Sequence, residues 1–169
     1  MPKDDDKLLL NIGSGDTSIG DIRLDFVVTP NVNVVGDAQH LPFRDSTFSE
    51  IHEYNLLEHM PNPAEQLLEA KRVLRNDGLL KLVTDNAACL KYYLLGTHTG
   101  GYRKHGGKDR HYAVFTLEHV RNLMRFCGFE IQRIQYTDTP YFTRLFDWVV
   151  RQIFAGLSYP RILVEARKP

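Results

Sequence analysis

A chain of 169 residues that is 43% hydrophobic and 25% charged has the balance of one folded domain with a sizeable core, which excludes a disordered or fibrous chain. Its 21 basic and 21 acidic side chains cancel, so bulk charge recruits neither nucleic acid nor anionic lipid, and two cysteines, Cys89 and Cys127, are too few for a disulfide framework. The opening MPKDDDKLLLNIG lacks the basic start and long apolar stretch of a secretory signal, and no segment has the length of a transmembrane span, so a cytoplasmic location is expected.

Apolar runs alternate with helical patterns, which predicts a mainly parallel sheet covered by helices. Leu8 to Ile12 reads as a buried strand that stops at Gly13. A second strand is expected over Asp21 to Val28. The third, Val32 to Val35, follows the breaker Thr29-Pro30-Asn31 and closes at Gly36-Asp37. Beyond the Leu41-Pro42-Phe43 turn, Phe48 to Tyr54 forms a fourth strand with untidy alternation. Asn62 then caps a helix, Pro63 takes its first position and Glu65 completes a capping-box spacing. Leu67, Leu68 and Leu74 form its apolar stripe, and Asn76-Asp77-Gly78 ends it before strand five, Leu79 to Val83.

From 87 to 112 the pattern dissolves into an inserted loop rich in Gly, His and Lys. Thr116 starts a further helix, with Val120, Leu123, Met124 and Cys127 at i, i+3, i+4 and i+7, and Gly128 stops it. Phe129 to Tyr136 and Ile162 to Ala166 read as the last strands. Between them lies an aromatic helical insertion, residues 139–158.

The junction Leu10-Asn11-Ile12-Gly13-Ser14-Gly15-Asp16 places glycines just beyond a strand, where the backbone can pass close to a ligand. Alone it is equally simple turn chemistry. A dinucleotide fingerprint would need another glycine at Ser18, and no Gly-Lys-Ser/Thr follows to make a phosphate loop. Two acids, Asp25 and Asp37, follow at the ends of the second and third strands. The first can accept hydrogen bonds from ribose hydroxyls and the second from an adenine amino group. Taken singly, either is as readily a capping or turn aspartate.

The order of these features resembles the class I S-adenosylmethionine-dependent methyltransferases, specifically the compact methyltransferase type 11 group. The resemblance rests on Leu10 to Gly15, Gly20 to Asp25, Val35-Gly36-Asp37-Ala38 with Leu41-Pro42-Phe43, and Phe48 to Ile51 leading to Leu57-Glu58-His59. Arg72 to Gly78, Phe115-Thr116 through Phe129, and Val164 to Lys168 extend it. It implies an α/β fold, a Rossmann-like three-layer sandwich whose seven-stranded sheet is mainly parallel with an antiparallel last strand, and a shortened first crossover. It implies S-adenosylmethionine as cofactor and S-adenosylhomocysteine as product. Carried over, Gly13, Ser14 and Gly15 would face the methionine part, Asp25 the ribose, Asp37 the adenine amino group, and the Ala38 amide the ring. Asn11, which stands where many relatives have an acid, would also lie at the cofactor, as would Asn55. Asn55 would lie beside the transferring methyl group, where this group often has histidine. Asp16 replaces a third glycine.

Methyl transfer to a hydroxyl or amine asks for alignment and a nearby base. The candidates are Asn55 as a positioning group and His59, His111, Glu53 and Tyr112 as proton acceptors, each also readable as a packing or surface residue. The acceptor is expected to be a small molecule methylated on oxygen or nitrogen. The basic residues of 96–112, read as a lid, suit an acidic or phosphorylated one. No regular ligand spacing predicts a metal. The 141–154 segment has four readings: a cover for the acceptor pocket, a homodimer face, a lipid contact or a core helix. A non-catalytic cofactor-binding or partner-binding module on the same fold is the alternative function.

Overall fold

The computed structural model describes residues 7–90, 111–138 and 156–169. Its strands are β1 (Leu9–Ile12), β2 (Ile22–Asp25), β3 (Val34–Val35), β4 (Phe48–Tyr54), β5 (Leu74–Asp85), β6 (Glu130–Thr137) and β7 (Arg161–Arg167). Helices α1 (Pro63–Val73) and α2 (Leu117–Phe126) follow β4 and β5, and a 3-10 turn spans Leu57–His59. The sheet order is β3-β2-β1-β4-β5-β7-β6. Strands β1 to β5 pair in parallel, and β7 runs antiparallel to both of its neighbours. The first crossover, residues 13–21, contains no helix. This is the Rossmann-like seven-stranded sheet that the sequence predicts.

The pleat divides the sheet into two unlike faces. Leu10, Ile12, Leu24, Ile51, Leu80, Leu82, Ile162 and Val164 are fully buried on one of them. Helices α1 and α2 both cover that face and touch each other, with Lys71 Nζ donating to the Gly128 carbonyl at 2.6 Å. On the other face, Asn11, His52, Lys81 and Glu165 stand in register across β1, β4, β5 and β7. Glu50 joins this polar row, its Oε1 lying 2.7 Å from both Lys81 Nζ and His52 Nε2. No second helical layer lies over it among the described residues. Residues 91–110 of the first expected insertion and 139–155 of the second, with the whole of the 141–154 segment, lie outside them. No helix among the described residues is long and apolar enough to cross a membrane.

Three boundaries differ from expectation, each for a local reason. Strand β2 stops at Asp25 because that carboxylate accepts from the Val27 amide at 2.8 Å and turns the chain; Phe26 and Val28 are left 81% and 76% exposed. Strand β3 begins only at Val34, since Asn33 Oδ1 takes the Arg23 amide at 2.7 Å in place of a strand partner. Helix α1 ends at Val73, and Asn76-Asp77-Gly78 lies inside β5 rather than terminating the helix. Leu74 is fully buried in extended geometry opposite Phe48, so pairing with β4 wins over another helical residue. The buried stripe of α1 is accordingly Gln66, Leu67, Ala70 and Val73, while Leu68 is 48% exposed.

Both helix starts follow local chemistry. Asn62 accepts from the Glu65 amide with Pro63 behind it, and Thr116 accepts from the His119 amide.

Candidate active site

Strand order reverses at β1, which has β2 on one side and β4 on the other. In an open α/β sheet the crevice beyond the carboxyl ends at such a point is where ligands bind. Gly13 stands there with φ +68°, a conformation that disfavours a side chain, and a Cβ would lie 2.8 Å from Leu56 Cδ1. The Gly13 and Ser14 amides both donate to the Leu24 carbonyl, at 2.8 and 3.1 Å, which folds the turn back onto β2. Asp25 completes the bend. Its Oδ2 accepts from the Gly15 amide at 2.8 Å while Oδ1 takes Val27. The carboxylate therefore points at the glycine turn and keeps further lone pairs on each oxygen.

The turn has room and unmet polarity for a ligand. A Cβ on Gly15 would meet open space, and the Ser14 hydroxyl is buried without a hydrogen-bond partner. An adenosyl sulfonium with a ribose diol fits these features: an open cradle, a hydroxyl to satisfy it and a carboxylate to receive it. Asn11 is 2% exposed, and its Nδ2 donates to Thr17 Oγ1 at 3.0 Å and to the Ile19 carbonyl at 3.1 Å. It thus braces the crossover. Asp16 turns outward to Asn31, and Thr29 Oγ1 donates to the Gly15 carbonyl.

Asp37 lies at the end of β3 and is held by its own turn. The Gln39 amide donates to Oδ1 at 2.9 Å and His40 Nδ1 is 3.2 Å from Oδ2. The Gln39 amide, more than His40, holds the Asp37 carboxyl below the usual range, while Asp37 pulls the exposed His40 upward. Ala38 is buried beside it. Arg72 anchors this loop to α1 by donating to the Phe43 and Leu41 carbonyls. An open groove of about 720 Å³ lies between Gln39–Leu41 and α1, next to Asp37 rather than at the glycine turn.

A second cluster forms past the ends of β4 and β5. Asn55 leaves β4 exposed, with φ 53°. The 3-10 turn then presents Glu58 and His59. His111 reaches the same place from the other side of an insertion, its ring edge-on to His59 with centroids 4.7 Å apart. The join is made by backbone: the Tyr112 amide donates to the Glu58 carbonyl at 2.7 Å. Thr84 donates to Glu58 Oε2 at 2.7 Å, and Asp85 Oδ2 lies 3.7 Å from His111 Nδ1. Burial holds the Glu58 carboxyl above its ordinary range, and nearby Asp85 pushes the same way.

The predicted residues thus fall into two groups. Gly13, Ser14, Gly15 and Asp25 converge on one bend, with Asp37 and Ala38 on the next strand end. His59 and His111 meet past the carboxyl ends of β4 and β5. Glu53 is not part of either group: it is fully buried under α1, with Gln66 Nε2 donating to its Oε1 at 2.7 Å. Glu58, Thr84 and Asp85 escaped sequence reasoning as candidates. An acid beside His59 was visible, but its partner strand end was not.

Residues 21–82 match a family model described as a methyltransferase domain. Malonyl-acyl-carrier-protein O-methyltransferase of Geobacter sulfurreducens is 29% identical over 137 residues, covering 75% of this chain and 49% of that protein. The chain therefore spans about half the length of this curated relative. A Bacillus halodurans structure assigned to the methyltransferases superposes with TM-score 0.67 at 20% identity, covering 97% of this chain and 94% of that one. A Methanosarcina mazei S-adenosylmethionine-dependent methyltransferase gives TM-score 0.65 at 18% identity, covering 96% and 93%. At these identities the structural likeness is one of fold.

Proposed function

We propose that this chain is a class I S-adenosylmethionine-dependent methyltransferase, a reading supported by its sheet order, the family match and the curated relative, and that it moves a methyl group from S-adenosylmethionine to an oxygen or nitrogen of a small-molecule acceptor. The observation that carries this reading is the Asp25 carboxylate tied to the Gly15 amide at the mouth of the glycine turn. Gly13 and Gly15 admit the methionine part, the Ser14 hydroxyl gains a partner, Asp25 receives the ribose hydroxyls, and Asp37 with the Ala38 amide lies on the adenine side.

When bound, the cofactor supplies an electrophilic methyl group on a positively charged sulfur. The chain's own residues then need to align the acceptor and receive its proton. Asn55 offers its amide at the end of β4, and His59 or His111 takes the proton, with Asp85 Oδ2 3.7 Å from His111 Nδ1. The Geobacter relative is an O-methyltransferase, which supports an oxygen acceptor. The basic residues of 96–112 extend the choice to acidic or phosphorylated acceptors.

Calorimetric titration with S-adenosylmethionine tests the cofactor step, and turnover of candidate acceptors tests the transfer. Wild type is expected to bind the cofactor and Asp25→Ala to bind it about 100-fold more weakly; a chain indifferent to the cofactor sinks the proposal. A non-catalytic binding module is favoured by one observation, that Asn11 and Asn55 place neutral amides where an acid and a histidine are frequent. Tight cofactor binding with no turnover on any acceptor would select it.

A further inference from the structure

The cluster beyond β4 and β5 holds the donors of a metal centre. One carboxylate oxygen of Glu58 and one ring nitrogen each of His59 and His111 lie within 4.8 Å of one another. We propose that these three side chains bind one divalent transition-metal ion, with Zn2+ the ion the donor set suits best. The inference concerns binding by the chain free of acceptor, since an imidazole nitrogen bound to a metal ion cannot also take the acceptor's proton.

Four features support it. Two imidazoles and a carboxylate form the three-ligand set of open zinc sites and select against Mg2+ and Ca2+, which prefer oxygen alone. The ligands are held by structure: the Tyr112 amide on the Glu58 carbonyl pins the His111 segment against the 3-10 turn. Outer partners are in place, since Thr84 Oγ1 donates to Glu58 Oε2 and Asp85 faces His111 Nδ1, as second shells orient first-shell ligands. The charge also fits. Glu58 is 1% exposed and Asp85 9%; the cation beside Asp85, Arg161, stands 3.9 Å away and pairs more closely with Asp138 at 2.9 Å.

Tetrahedral bonds of about 2.0–2.1 Å place donor atoms about 3.3 Å apart, so the cluster needs to contract by at most about 1.5 Å. Side-chain rotation of His59 and His111 on their anchored backbones supplies that. The separation of His111 from the Glu58-His59 pair in the chain is why no ligand spacing announced the site.

The test uses untagged, chelator-stripped full chain titrated with Zn2+ by calorimetry and with Co2+ by visible absorption. One equivalent is expected per chain. H59A and H111A should each weaken binding by at least the roughly 10- to 100-fold that loss of even an outer partner produces. H40A, a change at an exposed histidine outside the cluster, should leave it unchanged. Circular dichroism and the cofactor affinity of the metal-free variants verify folding; should H111A fail to fold, the H59A titration decides. Absence of stoichiometric binding, equal affinity in H59A, or an equal loss in H40A overturns the proposal. S-adenosylmethionine binding by metal-free wild type separates a failed metal site from a failed cofactor cleft.

Discussion

At the proposed adenosyl end of the cleft, the glycine turn is shaped by backbone amides, the Thr29 hydroxyl and the Asp25 carboxylate, which bond to one another within residues 13–29. At the proposed acceptor end, Glu58 and His59, Thr84 and Asp85, and His111 come from three separate segments, joined through the 3-10 turn. The first end is a local turn whose shape is dictated by φ values and a nearby acid. The second exists only after β4 and β5 have paired and the His111 segment has docked. The two should therefore fail differently when perturbed.

The largest effect is expected from Gly13→Ala. A left-handed non-glycine residue costs about 1–3 kcal/mol, and the added Cβ drives into Leu56. Cofactor affinity should fall by about 1,000-fold on displacement of the turn, roughly 4 kcal/mol. Leu56→Ala in the same chain should recover part of it, and full recovery would show that contact rather than φ is limiting. Isothermal titration reads both.

Asp25→Ala comes next. Charge-assisted hydrogen bonds contribute about 1.5–3 kcal/mol each, so losing the ribose acceptor and the Gly15 tie should weaken cofactor binding about 100-fold. H111A should leave that affinity within about three-fold while removing turnover. Equal losses of affinity in both variants would erase the distinction between the two ends.

A third change addresses the floor beneath the cleft. Burial pushes the Glu53 carboxyl up to about 7 from an unfolded value of 4.5. Between those values the folded chain binds more protons than the unfolded one, so stability falls as pH rises, and the loss is complete above about 7. One Glu53 oxygen and one Gln66 oxygen lack partners in the buried pair, and an amide at position 53 can satisfy both. Glu53→Gln should stabilise by about 1–2 kcal/mol at pH 8 and by almost nothing at pH 4, read by urea denaturation. A pH-independent difference would contradict the burial argument.

The smallest effect is expected from Thr84→Val. It removes the hydrogen bond to Glu58 Oε2 from a residue that only positions the acceptor end. Turnover should fall about ten-fold, with cofactor affinity unchanged. A shift in the pH profile of turnover, absent from a merely destabilised protein, would distinguish positioning from packing.

Much of the fold could be read directly because its signals are local. The bounds of β4, the Asn62 and Thr116 caps and the order of the strands all follow from neighbouring residues. The errors arose where a distant partner decided. Leu74 continues the helical pattern but leaves it for Phe48, and Phe26 to Val28 look like strand until the Asp25 carboxylate takes the Val27 amide. Asn11 Nδ2 reaches across the first crossover to Thr17 and Ile19. No pattern within β1 announces that.

The amino-acid order by itself determined the glycine bend, the two acids at successive strand ends and the parallel arrangement that brings them to one edge, because each depends on φ preference, side-chain reach or hydrophobic period over a few residues. Tertiary structure alone decided the meeting of Glu58, His59 and His111 and the burial of Glu53. Contacts across long stretches of chain depend on strand register and docking, and a one-residue change of register in β4 would turn Glu53 to the opposite face.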